Sequence, residues 1–144
     1  MATPAAALDR HALVWDQAER VGAWVASKVG VEGFVPPYSS LGWQRGGELV
    51  GGIIFNVYTG PNVELTVACD GPVPPSILGH VRRYVFDQHK CRRMTITAKA
   101  SRPDVIDQAK RLGFTEEGFH PELFADDDGV TLGILAKDCH WSMR

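Results

Sequence analysis

Apolar residues recur along this chain at two spacings, and each switch between them marks an element. Ala18, Val21, Gly22, Val25 and Val29 fall three and four apart, the period of one helix face. Asp16 and Glu19 have the form of a capping box, so a helix is expected from Gln17 to about Lys28, ended by Gly30. Ahead of it, Ala12-Leu13-Val14-Trp15 fits either a first strand or a first helical turn. After the loop Gly33-Phe34-Val35-Pro36-Pro37, the spacing contracts to two. Ser40–Gln44 and Glu48–Val57 predict strands, and Arg45-Gly46-Gly47-Glu48 predicts the tight turn between them. Ile53-Ile54-Phe55 is continuously apolar, as in a strand covered on both faces. Beyond Thr59-Gly60-Pro61-Asn62, a second turn, Val63, Leu65 and Val67 alternate with Glu64, Thr66 and Ala68.

The helical period returns at Ser76–Lys90, with Ser76 as the expected N-cap and Ile77, Leu78, Val81, Tyr84, Val85 and Gln88 on one face. Arg93–Lys99 reads as a strand, and a strand, helix, strand succession implies parallel pairing. Pro103 opens a helix to about Leu112 whose core face is Val105, Ile106, Ala109 and Leu112. Glu117–Phe124 and Val130–Ala136 predict a last hairpin turning at Asp126-Asp127-Asp128-Gly129. Residues 1–10 read as a loose tail, 138–144 as a C-terminal tail, and 1–144 as a single domain.

Composition narrows the class. The chain is 44% hydrophobic and 22% charged, an ordinary globular balance, with no apolar run near the ~20 residues that span a bilayer. The N-terminus lacks a basic region and a long apolar core, so no secretory leader is expected. Cys69, Cys91 and Cys139 are odd in number and far apart, which suits free thiols and a cytoplasmic location. A formal charge of −2 argues against bulk nucleic-acid binding and leaves a local patch open. No metal is expected: His11, His80, His89, His120 and His140 are scattered, and Cys139-His140 has no second close ligand pair.

The order of elements, with Arg111-Leu112-Gly113-Phe114 leading to Glu117-Gly118, resembles the GCN5-related N-acetyltransferase superfamily from about Leu13 to Lys137. More narrowly, it is similar to small acetyltransferase-like proteins of bacteriophages and prophages. Phe55-Asn56-Val57-Tyr58-Thr59-Gly60-Pro61, Glu64, Cys91-Arg92-Arg93 and Cys139-His140-Trp141 carry that likeness. The resemblance implies an α/β (α+β) fold with a mostly antiparallel sheet of six to seven strands. Helices would cover both faces, with a splay between the fourth and fifth strands. It implies acetyl-CoA or another acyl-CoA as co-substrate and an amine acceptor on a small molecule, protein or nucleobase. A homodimer is left open.

The resemblance also assigns residues. Glu64 matches the glutamate that takes the amine proton; the plain alternative is a solvent-facing residue on an alternating strand. Thr66, Val67 and Ala68 match the main chain that bonds the pantetheine arm. Ser76, Ile77, Leu78 and Gly79 match the helix start that holds pyrophosphate. Asn56 and Tyr58 are candidates for the acceptor side, and Arg102 for a phosphate. Three features depart from the family's pattern. Gly71-Pro72-Val73-Pro74-Pro75 replaces its glycine-rich loop and removes N–H donors, Arg102 stands where asparagine is common, and Ala109 where a tyrosine often protonates the thiolate. A non-catalytic binding module with a degenerate cofactor site is therefore the alternative. Cys69 could be read as a nucleophile, but nothing beside it supplies a base.

Overall fold

A computed structural model describes residues 12–141, so the expected tail at 1–10 and the end of the C-terminal tail lie outside the described residues. The elements are β1 (Ala12–Val14), α1 (Ala18–Val29), β2 (Ser39–Arg45), β3 (Glu48–Asn56), β4 (Asn62–Cys69), α2 (Pro75–Arg82), β5 (Arg93–Lys99), α3 (Pro103–Arg111), β6 (Thr115–Phe124) and β7 (Asp127–Leu135). The strands form a seven-stranded sheet in the order β1-β2-β3-β4-β5-β7-β6. The mixed, mostly antiparallel sheet and its parallel β4–β5 pair are the architecture expected from sequence. The described chain falls into two compact units, one of residues 12–56 with Thr66–Pro72, the other of Val57–Leu65 with 73–141. Among the described residues no helix is long and apolar enough to cross a membrane.

In the first unit α1 lies on β2 and β3 over a pair of opposed glycines, Gly42 and Gly52. A Cβ on Gly52 would meet Val25 and Val21, and one on Gly42 would meet Val21 and Leu49. The missing side chains let the helix come close, and Val21 and Val25 are fully buried there. The helix starts one residue later than expected. Gln17 occupies the N-cap without a side-chain cap bond, so the Asp16–Glu19 capping box does not form. Gly30 closes the helix in the left-handed region, φ 77°. Arg45 pairs with Glu48 across Gly46 and Gly47, both at positive φ, as a two-residue hairpin turn requires.

In the second unit β5 pairs parallel to β4 and antiparallel to β7. Helix α2 begins at Pro75 with Pro74 at its N-cap, which corrects the reading of Ser76 as the cap. Proline suits the first helical position, and two in a row pull the start back. The helix widens into a π-helical turn over Arg83–Gln88, where the His89 N–H donates to the Tyr84 carbonyl. The last hairpin turns at Ala125-Asp126, with Phe124 opposite Asp127, earlier than its Asp128-Gly129 suggests. Gly129 serves close approach instead: a Cβ there would strike the Leu123 side chain.

The C-terminal segment folds back on this unit. The Trp141 indole N–H donates to the Leu112 carbonyl at 2.8 Å, its ring lies 5.9 Å from that of Phe114, and its carbonyl accepts from Arg82. Trp141→Ala removes all but the main-chain bond. It is expected to destabilise by about 2 kcal/mol, a half-buried fraction of a full Trp deletion, with denaturant melts as the check.

Candidate active site

The β4–β5 ladder pairs Asn62 with Arg93, Val63 with Met94, Glu64 with Thr95 and Leu65 with Ile96. Alternation sends Val63, Leu65, Met94 and Ile96 to one face, and Asn62, Glu64, Arg93 and Thr95 to the other. On β7, Thr131 and Gly133 stand opposite Thr97 and Thr95 and share that second face. His120 of β6 reaches it through Thr131, 3.1 Å away. The outcome is a polar strip across four strands.

Arg93 organises the strip. Its Nη1 donates to Thr95 Oγ1 at 2.7 Å, and that hydroxyl donates to Asn62 Oδ1 at 2.8 Å. Its other nitrogen, Nη2, is ion-paired with Glu117. Gly133 makes room for the pair, since a Cβ there would collide with both charged groups. Glu117 sits where β6 slips register between Glu116 and Gly118, and the bulge re-aims its side chain.

Glu64 lies half-buried opposite Thr95 and forms no hydrogen bond or ion pair among the described residues. The Thr95 proton is committed to Asn62 and is not shared with Glu64. A partly buried carboxylate without a partner is open to accept a ligand's proton.

The parallel ladder ends at Leu65 and Ile96, and β4 runs on through Thr66, Val67 and Ala68 without a paired β5 residue. Thr66 is half-buried, Val67 exposed and Ala68 buried. At the start of α2, Pro75 has no N–H, and the Ile77 and Leu78 amides both donate to the Pro74 carbonyl. The Ser76 amide is left as the helix-end donor; Gly79 is buried in the next turn.

Arg102 is exposed and grips Asp104 with two hydrogen bonds of 3.1 Å. Those bonds raise the Arg102 pKa and hold the Asp104 carboxyl below its usual range. A phosphate would have to compete for it. Asn56 is half-buried at the end of β3. Val57 then takes a left-handed φ of 50°, so extended alternation stops before Tyr58. The Tyr58 hydroxyl donates to the His89 carbonyl at 3.3 Å.

Trp43 is a fully buried core residue and lines no acceptor pocket. Its indole Nε1 has no hydrogen-bonding partner. Burial pushes the Cys69 thiol up to about 11, helped by the Asp70 charge. At neutral pH this sulfur is a thiol, which removes it as a nucleophile. Iodoacetamide is expected to leave Cys69 unmodified at pH 7 in the folded protein and to label it as pH rises toward 11, read by peptide mass spectrometry.

Sequence reasoning missed Asn62, Arg93, Thr95 and Glu117 as a set. Gly133, a side-chain-free position opposite charged neighbours, was the available signal.

No protein-family model matches the sequence, and no curated protein matches it. Solved structures do. The dodecameric spermidine N-acetyltransferase of Vibrio cholerae superposes with a TM-score of 0.70 at 11% identity, over 88% of this chain and 94% of that one. A chimera of the V. cholerae enzyme and hSSAT superposes with a TM-score of 0.62 at 15% identity, over 69% of this chain and 68% of that one. At such identities the likeness is one of fold: the chain has the fold of the GCN5-related N-acetyltransferases.

Proposed function

We propose that this chain, built on an acetyltransferase fold, is an acyl-CoA-dependent N-acyltransferase, with acetyl the expected group and Glu64 the general base. The observation that carries the proposal is Glu64 itself, a half-buried carboxylate on the parallel ladder without a partner. Acyl-CoA supplies a thioester carbonyl and a thiolate leaving group. The acceptor amine attacks only when neutral, and Glu64 takes its proton directly or through one water. Main-chain N–H groups of Thr66, Val67 and Ala68 hold the pantetheine arm and polarise the carbonyl, where each donor is worth most in a site shielded from water. The Ser76 amide and the helix end at Ile77, Leu78 and Gly79 place positive potential near the phosphates. Arg102 joins them only by releasing Asp104. Asn56 and Tyr58 contact the acceptor. Ala109 carries no hydroxyl, so water or another donor protonates the thiolate. A cytoplasmic location, a homodimer and kinship with the phage proteins belong to the same proposal.

A second reading, a binding module without transfer, is favoured by the prolines at the start of α2 and the Arg102–Asp104 pair. Melting with and without acetyl-CoA, together with release of free CoA thiol in the presence of primary amines, separates the two. A transferase shows a ligand-dependent rise in Tm and thiol release that depends on the amine. No rise at saturating acetyl-CoA removes the transferase reading, and a rise without thiol release for any amine favours the module.

A further inference from the structure

The formal charge of −2 is unevenly spread, and cations gather at one end of the second unit. At the N-terminal ends of β4 and β5 lies a hollow of about 490 Å³, lined by Pro61, Arg92, Arg93, Leu135, Ala136 and Lys137. Main-chain bonds hold it in shape: the Arg92 and Arg93 amides donate to the Pro61 carbonyl at 2.7 and 3.0 Å, and the Ala136 amide to the Arg92 carbonyl at 2.8 Å. No acid lines it. Arg93 is tied to Glu117, but the exposed side chains of Arg92 and Lys137 form no ion pair or hydrogen bond among the described residues.

An aromatic cluster lies a few residues along the chain from the lining of this hollow. Tyr58 and His89 are each three residues before a lining residue, Pro61 and Arg92, a reach of about 10 Å at most. The His89 ring meets Tyr58 at 5.7 Å and Tyr84 at 4.5 Å, both edge-on. Tyr58 is 56% exposed. Two non-glycine residues at positive φ flank the cluster, Val57 at 50° and Lys90 at 57°. A β-branched residue is rarely found there, and such strain gathers at ligand sites. Lys90 is exposed and, among the described residues, unpaired.

We propose that this end of the second unit docks single-stranded nucleic acid. Bases stack on Tyr58 and enter the hollow, and the phosphates run past Lys90, Arg92 and Lys137. An exposed ring and a wall of arginine and lysine stems offer flat surfaces to a base, which every unpaired nucleotide can use and a duplex cannot. An acidic peptide would meet the charges and leave those surfaces unused. With about three phosphates engaged, log K falls with log salt at a slope of about −2. The inference shares Tyr58 with the proposed acceptor side, while Lys90, Arg92 and Lys137 have no part in the transfer chemistry.

The test is fluorescence anisotropy of a labelled oligothymidine of about twelve nucleotides with the full chain, between about 50 and 200 mM salt. Saturable binding with that slope is expected. The double variant Arg92→Glu with Lys137→Glu should weaken binding by about tenfold or more and flatten the slope. Tyr58→Ala should weaken it about fivefold or more with the slope unchanged, and its melting curve reports whether the fold survives. Absence of binding at low salt, equal affinity for a duplex, equal displacement by polyglutamate, or a folded Tyr58→Ala variant that binds normally would each overturn the proposal.

Discussion

Glu64→Gln is expected to lower the rate of acyl transfer by about 10²–10⁴-fold, the range a positioned general base supplies. The substitution keeps the size and hydrogen-bonding shape of the side chain and removes only its ability to take a proton. Glu64 forms no ion pair or hydrogen bond among the described residues, so the variant should fold normally. The acetyl-CoA-dependent rise in Tm should remain, because nothing assigned to acyl-CoA binding involves the carboxylate. The residual rate should climb with pH toward the acceptor's own pKa, about 10 for an alkyl amine, as solvent takes over deprotonation. A Glu64→Gln variant with wild-type turnover at neutral pH would show that the base is another group or that none is needed.

Gly51→Ala carries the largest expected effect on stability. Gly51 pairs with Trp43 across β2 and β3, and an added Cβ would fall inside the contact radius of three indole atoms, Cε2, Cζ2 and Nε1. Trp43 is fully buried and cannot swing to solvent, and Gly51 is itself buried. Overpacking of this kind costs about 3 kcal/mol or more when neither neighbour can give. For a chain of this size the Tm should fall by about 10 °C. The double variant Gly51→Ala with Trp43→Leu, which removes the obstructing ring, should recover part of the loss. A favourable coupling energy in that cycle assigns the effect to the contact. Wild-type melting of Gly51→Ala would mean that the strands do not pair in this register.

Most of the fold was legible because it is written in periodicity. The helical spacing of Val21, Gly22 and Val25 and the alternation of Val63 and Leu65 survive as buried faces, with Val29 half-buried at the edge of the first, and β5 has the expected limits, Arg93–Lys99. Boundaries were lost where two local preferences compete. Ser76 is a good cap, but Pro75 is a better first helical residue and takes the start. Asp128-Gly129 has turn chemistry, yet Asp128 Oδ1 accepts the Glu122 amide and Gly129 lies against Leu123, so the chain reverses earlier. The Arg93–Thr95–Asn62 array was invisible for a different reason. Its members come from separate strands, and only the parallel register and the β6 bulge bring Asn62, Thr95 and Glu117 to one arginine. Glu64 could be singled out by resemblance, but its want of a partner is a property of the folded chain.

The measurement that bears most directly on the account is a crystal structure of the protein with bound CoA. The account predicts that the thiol end lies along the main chain of Thr66, Val67 and Ala68, with its sulfur near Glu64 and its phosphates at the Ser76 amide. Crystals grown at saturating CoA with no CoA in them, or with the thiol end away from Glu64, would contradict it.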